Sequence, residues 1–109
     1  MMAELLGAAP PQAGAAVRAS EDGARWLAHG EFTLASAGQV LAAARALPLP
    51  TTGVVQCEGI TAVDSAAVAL LLALKRRGME RGTPLRFVEA PAALVTLAAL
   101  YDVEDILAP

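Results

Sequence analysis

A chain of 109 residues with eight Lys and Arg against eleven Asp and Glu carries a formal net charge of −3, and its length admits one small core rather than two domains. So few cations, with an aromatic content of 4%, exclude the basic, stacking surface that nucleic acid demands of a partner. The 56% hydrophobic content and mean hydropathy of +0.52 imply a generous core, an apolar surface that meets another molecule, or both.

Residues 1–12 hold Ala, Gly and a Pro-Pro pair without a sustained period. They read as a flexible arm before a single domain over 13–109. No basic leader followed by an apolar run opens the chain, and the longest apolar run, Ala66 to Leu74, is nine residues, against the roughly twenty that span a bilayer. The expectation is a cytoplasmic protein with no direct insertion into a membrane. "AAVRAS" and "ARWLAHG" read as two strands around the turn "EDG", in which Asp22-Gly23 suits a tight hairpin. Alternation puts Trp26 on one face and Arg25 and Leu27 on the other. "TLASAGQVLAAARALP" predicts a helix capped by Thr33, with Leu34, Val40, Leu41, Ala44 and Leu47 as its apolar stripe, stopped by Pro48 and Pro50.

"GVVQCEGI", Gly53 to Ile60, predicts a strand with Val54, Val55 and Cys57 in the core. A helix follows from Asp64 or Ser65 to about Arg81, with Val68, Leu71, Leu72 and Lys75 along one face and Gly82 as terminator. "PLRFVEA" predicts a strand with Leu85 and Phe87 on one face and Arg86 and Val88 on the other. "PAALVTLAALYDV" predicts a helix with Pro91 in its first turn, and "VEDILAP" a last helical turn. The order β-β-α-β-α-β-α predicts an α/β fold, a mixed sheet of about four strands with helices mainly on one side.

Chemistry is sparse along this chain. The single histidine, His29, has no nucleophile and carboxylate placed beside it by sequence. There is no phosphate-binding glycine loop, and one His and one Cys are too far apart to suggest a metal. No cofactor or metal is expected. Cys57 has no disulfide partner and lies in an apolar run, which suits an inert thiol better than a nucleophile. A small enzyme using Ser65 or Cys57 lacks an identifiable base or oxyanion hole. Asp64-Ser65 stands out in "GITAVDSAAVALLLALKRRG". Both residues cap helices well, because their oxygens accept the free N–H groups of a first turn. A phosphoryl group on Ser65 would add charge and acceptors at that exposed end.

The strand-turn-helix "GITAVDSAAVALLLALKRRG", with "LVTLAALYDVEDIL" at the C-terminus, resembles the STAS domain, the fold of bacterial anti-sigma factor antagonists. "VDSAAVALLLAL" and "LAALYDVEDILAP" are most similar to the MlaB type, the STAS subunit of the Mla phospholipid ABC transporter. That resemblance implies a subunit without chemistry of its own, peripheral to the inner membrane through a bound ATPase subunit. It carries the contact onto Asp64 and Ser65 and the helix beyond them. With the neighbouring loop, the expected partner-binding residues are Thr61, Asp64, Ser65, Ala66, Ala67 and Val68. The alternative implied partner is a kinase-like anti-sigma factor. In phospho-switch antagonists the modified hydroxyl is the second residue after the Asp, here Ala66, which cannot be phosphorylated. Ser65 remains as a candidate phosphorylation site, and the apolar excess leaves self-association open.

Overall fold

The computed structural model describes residues 15–107, so the arm expected over 1–12 lies outside the described residues. The hairpin forms at the predicted turn. β1 (Ala16–Ala19) and β2 (Arg25–Phe32) pair antiparallel, with Ala19 opposite Trp26. Gly23 takes φ +72°, a backbone conformation that a side chain disfavours. The Asp22 carboxylate accepts from the Ala24 N–H (3.0 Å) and the Ser20 hydroxyl (2.7 Å). These bonds, that from Ala24 first, hold its pKa below the usual carboxylate value.

From β2 the chain alternates through α1 (Leu34–Arg45), β3 (Val54–Val63), α2 (Ser65–Glu80), β4 (Arg86–Val88) and α3 (Ala92–Leu100), and closes with a 3₁₀ turn over Glu104–Ile106. The sheet order is β1-β2-β3-β4, with β2–β3 and β3–β4 parallel. This is the four-stranded mixed sheet with three helices that the alternation predicts. Trp26, Phe32, Val55, Cys57, Ile60 and Phe87 enter one core with Val40, Ala44, Leu71, Leu74 and Leu94 of the helices. The other sheet face carries Arg18, Arg25, Gln56, Glu58 and Arg86, exposed or half-buried. The buried Trp26 indole donates from Nε1 to the Pro48 carbonyl (3.1 Å), tying the start of β2 to the loop after α1.

Several expectations change in the third dimension. Val54 is half-buried rather than core, because alternation turns Val55 and Cys57 inward instead. β3 runs three residues past Ile60. Its ladder is irregular: Leu27 pairs with Gln56 but His29 with Gly59, and a second shift follows between Gly30 and Glu31. An extra residue on β3 lets both Cys57 and Ile60 face the core and breaks the period-two signal that would mark the strand's end. On α1, Leu34 is not part of the apolar stripe. It is 81% exposed, because the first turn projects past the end of the sheet. On α2 the buried stripe is Ala67, Leu70, Leu71, Leu74 and Gly78, with Val68 beside it. Leu72 is only half-buried, and the Lys75 ammonium donates to the Leu85 carbonyl (3.4 Å).

Gly82 ends α2 as predicted. Its N–H donates to the Met79 carbonyl (3.2 Å) and that of Thr83 to Gly78 (2.8 Å), the paired bonds of a Schellman cap. α3 ends in the same way: Asp102 donates to Ala99 and Val103 to Ala98. Pro91 is the N-cap of α3, one residue before its first turn.

After β4, Glu89 sits at φ +57° and shares a hydrogen bond with Glu58. That bond, then the repulsion between the two charges, raises the Glu89 pKa above its ordinary value. The folded chain therefore holds this proton more tightly than the unfolded chain. The associated stability is present below the unfolded carboxylate range and is lost as pH rises through the folded pKa. Glu89→Gln is expected to flatten that dependence, measured as melting temperature from about pH 4 to about pH 7. An unchanged pH profile would show that the two carboxyl groups do not share a proton.

Candidate docking site at the paired helix N-termini

β2 and β3 are parallel neighbours, with Phe32 in register with Val63, and each is followed at once by a helix. The N-termini of α1 and α2 therefore emerge side by side at the C-terminal end of the two central strands. Two positive helix ends in proximity disfavour each other unless an anion lies between them. Asp64 supplies it. Its Oδ1 accepts from the Ala66 N–H (2.9 Å), capping its own helix, and its Oδ2 accepts from the Leu34 N–H (3.0 Å), capping the other. The backbone closes the corner, with the Asp64 N–H donating to the Phe32 carbonyl (3.3 Å). On the α1 side the Ser36 hydroxyl accepts from the Thr33 N–H (3.1 Å) and donates to the Glu31 carbonyl (2.6 Å).

This corner divides the residues expected at a partner contact. Thr61 and Ser65 are exposed, and Asp64 and Ala66 are half-buried. Ala67 (0% exposed) and Val68 (5%) lie in the core, and present no surface to a partner. The correction has a simple cause: successive helix residues turn by about 100°. With Ser65 directed outward, Ala67 lies about 200° round on the inward face, while Val68, about 300° round, is on the flank of that face and is buried there as well. The residue that sequence reasoning missed is Leu34. Its one local signal is its place in the first turn, a heptad before Leu41, which is itself only half-buried.

The other reactive groups lie elsewhere. Cys57 is fully buried, and burial pushes its thiol pKa up to about 12, the behaviour of a structural cysteine. His29 sits within β2, half-buried, and its Nε2 has no hydrogen-bond partner among the described residues. Among those residues no group of three or more His, Cys, Asp or Glu is placed to hold a metal ion. No helix among them is long and apolar enough to cross a membrane.

A parallel βαβα unit behind a hairpin, with an Asp-Ser corner opening its longest helix, is the arrangement that the sequence resemblance implies. The family model described as the MlaB STAS domain matches residues 15–108. The chain belongs to this STAS-domain family. The match spans every strand and helix described above, so the Asp64 corner lies within the family's own fold. No curated protein matches the chain.

Proposed function

We propose that this STAS domain is a non-catalytic interaction subunit that binds the ATPase subunit of an Mla-type phospholipid-transport ABC complex. In this role it supports the complex's assembly or activity and is held at the cytoplasmic face of the inner membrane by its partner. The observation that carries the reading is the exposed pair Leu34 and Ser65 at the two helix starts that the Asp64 carboxylate joins, with Thr61 exposed earlier on β3. A leucine 81% exposed beside a hydroxyl, on two helix ends locked to one another, is a preorganised contact with an apolar anchor. The family supports the same class of role. A domain whose buried cysteine is inert and whose one histidine stands apart from Ser65 has a surface to offer rather than a reaction.

The test is binding of the purified ATPase subunit to wild type, Leu34→Arg and Ser65→Glu. Both side chains are exposed, so both variants should melt as the wild type does. Each is expected to weaken binding about tenfold or more, roughly 1.4 kcal/mol. Intact binding by both variants would refute this surface. Binding to a kinase-like anti-sigma factor with no affinity for the ATPase would return the domain to sigma-factor regulation.

A further inference from the structure

The far end of α2 has a different chemistry. It lies about 24 Å from Ser65, at 1.5 Å per residue over a sixteen-residue helix. There Arg45, Arg76, Arg77 and Arg81 line a cleft of about 400 Å³ between the C-terminal turns of α1 and α2, with Ala73 and Glu80 completing the wall. The chain has eight Lys and Arg and a net charge of −3, so half of its cations gather around one hollow. Helix dipoles account for part of this. Arg45 stands in the last turn of α1 and Arg77 in that of α2, each opposing a negative helix end. Arg81, the C-cap of α2, opposes the same end. The dipoles do not account for Arg76, which lies before the last turn, is exposed and lines the same cleft.

Arg77 is preset. Its Nη2 donates to the Arg45 carbonyl (3.1 Å), and its Nη1 is buried without a partner among the described residues. Cations crowded around a hollow repel one another, and an anion placed among them relieves that repulsion. Guanidinium forks match the oxygens of phosphate in particular. The single Glu80 carboxylate leaves the cleft strongly cationic. A second hollow of about 530 Å³ adjoins it, shares Arg76 and Glu80, and adds Leu72, Lys75 and Met79. Met79 is 64% exposed there, so an apolar surface lies directly beside the cationic one.

We propose that the cleft of Arg45, Arg76, Arg77 and Arg81 is a binding site for a phosphate-bearing anion. The ligand is either a soluble phosphate ester or the headgroup of a phospholipid whose acyl part rests against Leu72 and Met79. The site is separate from the docking corner and does not depend on the identity of the partner bound there.

The experiment compares wild type with Arg76→Gln/Arg81→Gln. Both residues are exposed and Arg77 is left in place, so the fold should persist, as a melt will verify. Pyrophosphate titrated into the labelled domain should move the amides of Arg45, Ala73, Arg76, Arg77 and Arg81 saturably. The double variant should bind at least about tenfold more weakly, and added salt should weaken both. Flotation with phosphatidylglycerol vesicles, against phosphatidylcholine vesicles, separates the two sources. Saturable pyrophosphate binding assigns a soluble phosphate ester, and variant-sensitive flotation with phosphatidylglycerol alone assigns the headgroup. Absence of both at about 0.1 M salt, or equal binding by the double variant, overturns the site.

Discussion

Asp64→Ala is expected to lower the unfolding free energy by about 2 kcal/mol, double the usual contribution of one helix cap. The doubling follows from geometry. One carboxylate oxygen serves the Ala66 N–H of α2 at 2.9 Å and the other the Leu34 N–H of α1 at 3.0 Å. Both donors belong to first turns and lack an intrahelical acceptor. The side chain is half-buried, so water replaces the lost acceptor only in part. In a domain of this size the loss amounts to about 10 °C in melting temperature. Asp64→Asn separates the two bonds. Its carbonyl oxygen still accepts from one N–H while its amide group faces the other, so it should lose about 1 kcal/mol. Amide exchange should accelerate at the starts of both helices in Asp64→Ala. Acceleration confined to α2, with a loss of about 1 kcal/mol or less, would mean that the bridge to α1 contributes nothing. A binding defect in Asp64→Ala is interpretable only at a temperature where the variant is folded, whereas Leu34→Arg and Ser65→Glu test the surface directly.

Gly78→Ala sets two effects of opposite sign against each other. Alanine in a helix interior is favoured over glycine by about 1 kcal/mol. At Gly78, however, a Cβ would lie 2.5 Å from the Thr83 carbonyl oxygen and 2.9 Å from Leu85 Cγ. Leu85 is a buried core residue. Thr83 has little freedom to withdraw, because its own N–H donates to the Gly78 carbonyl at 2.8 Å in the cap of α2. The added methyl must therefore push the α2–β4 connection away from the helix as a unit. Overpacking of this kind costs about 1–3 kcal/mol, and more where backbone must move, so the net expectation is a loss of about 2 kcal/mol. Gly38→Ala in α1 provides the contrast, since a Cβ there meets nothing within 4 Å. It should stabilise by about 0.5–1 kcal/mol. Denaturant melts of the two variants decide the matter. If Gly78→Ala is stabilised as Gly38→Ala is, the close approach of α2 to the β4 connection does not exist.

The elements were legible in the sequence because their signals are local. Asp22-Gly23 marks the hairpin, Thr33 and Asp64 mark helix starts, Gly82 marks a stop, and alternating strands and helices imply a mostly parallel sheet. The family was legible for the same reason, through one contiguous strand-turn-helix and one contiguous C-terminal stretch. What lay beyond reading depends on partners distant in the chain. The two extra residues in β3 are defined only against β2, since register is a property of a pair of strands. Ala67 and Val68 were expected at the surface and are core, because the face of α2 that turns inward is chosen by the sheet beneath it. Leu34 was expected in the core and is exposed, because the sheet ends before the first turn of α1. Asp64 was legible as a cap for its own helix. That it caps a second helix, thirty residues earlier, and that Arg45 meets Arg77 across thirty-two, was decided only when parallel strands aligned the helix ends. The sequence by itself determined the elements, their order and the family; packing alone determined which side chains share an end of the molecule.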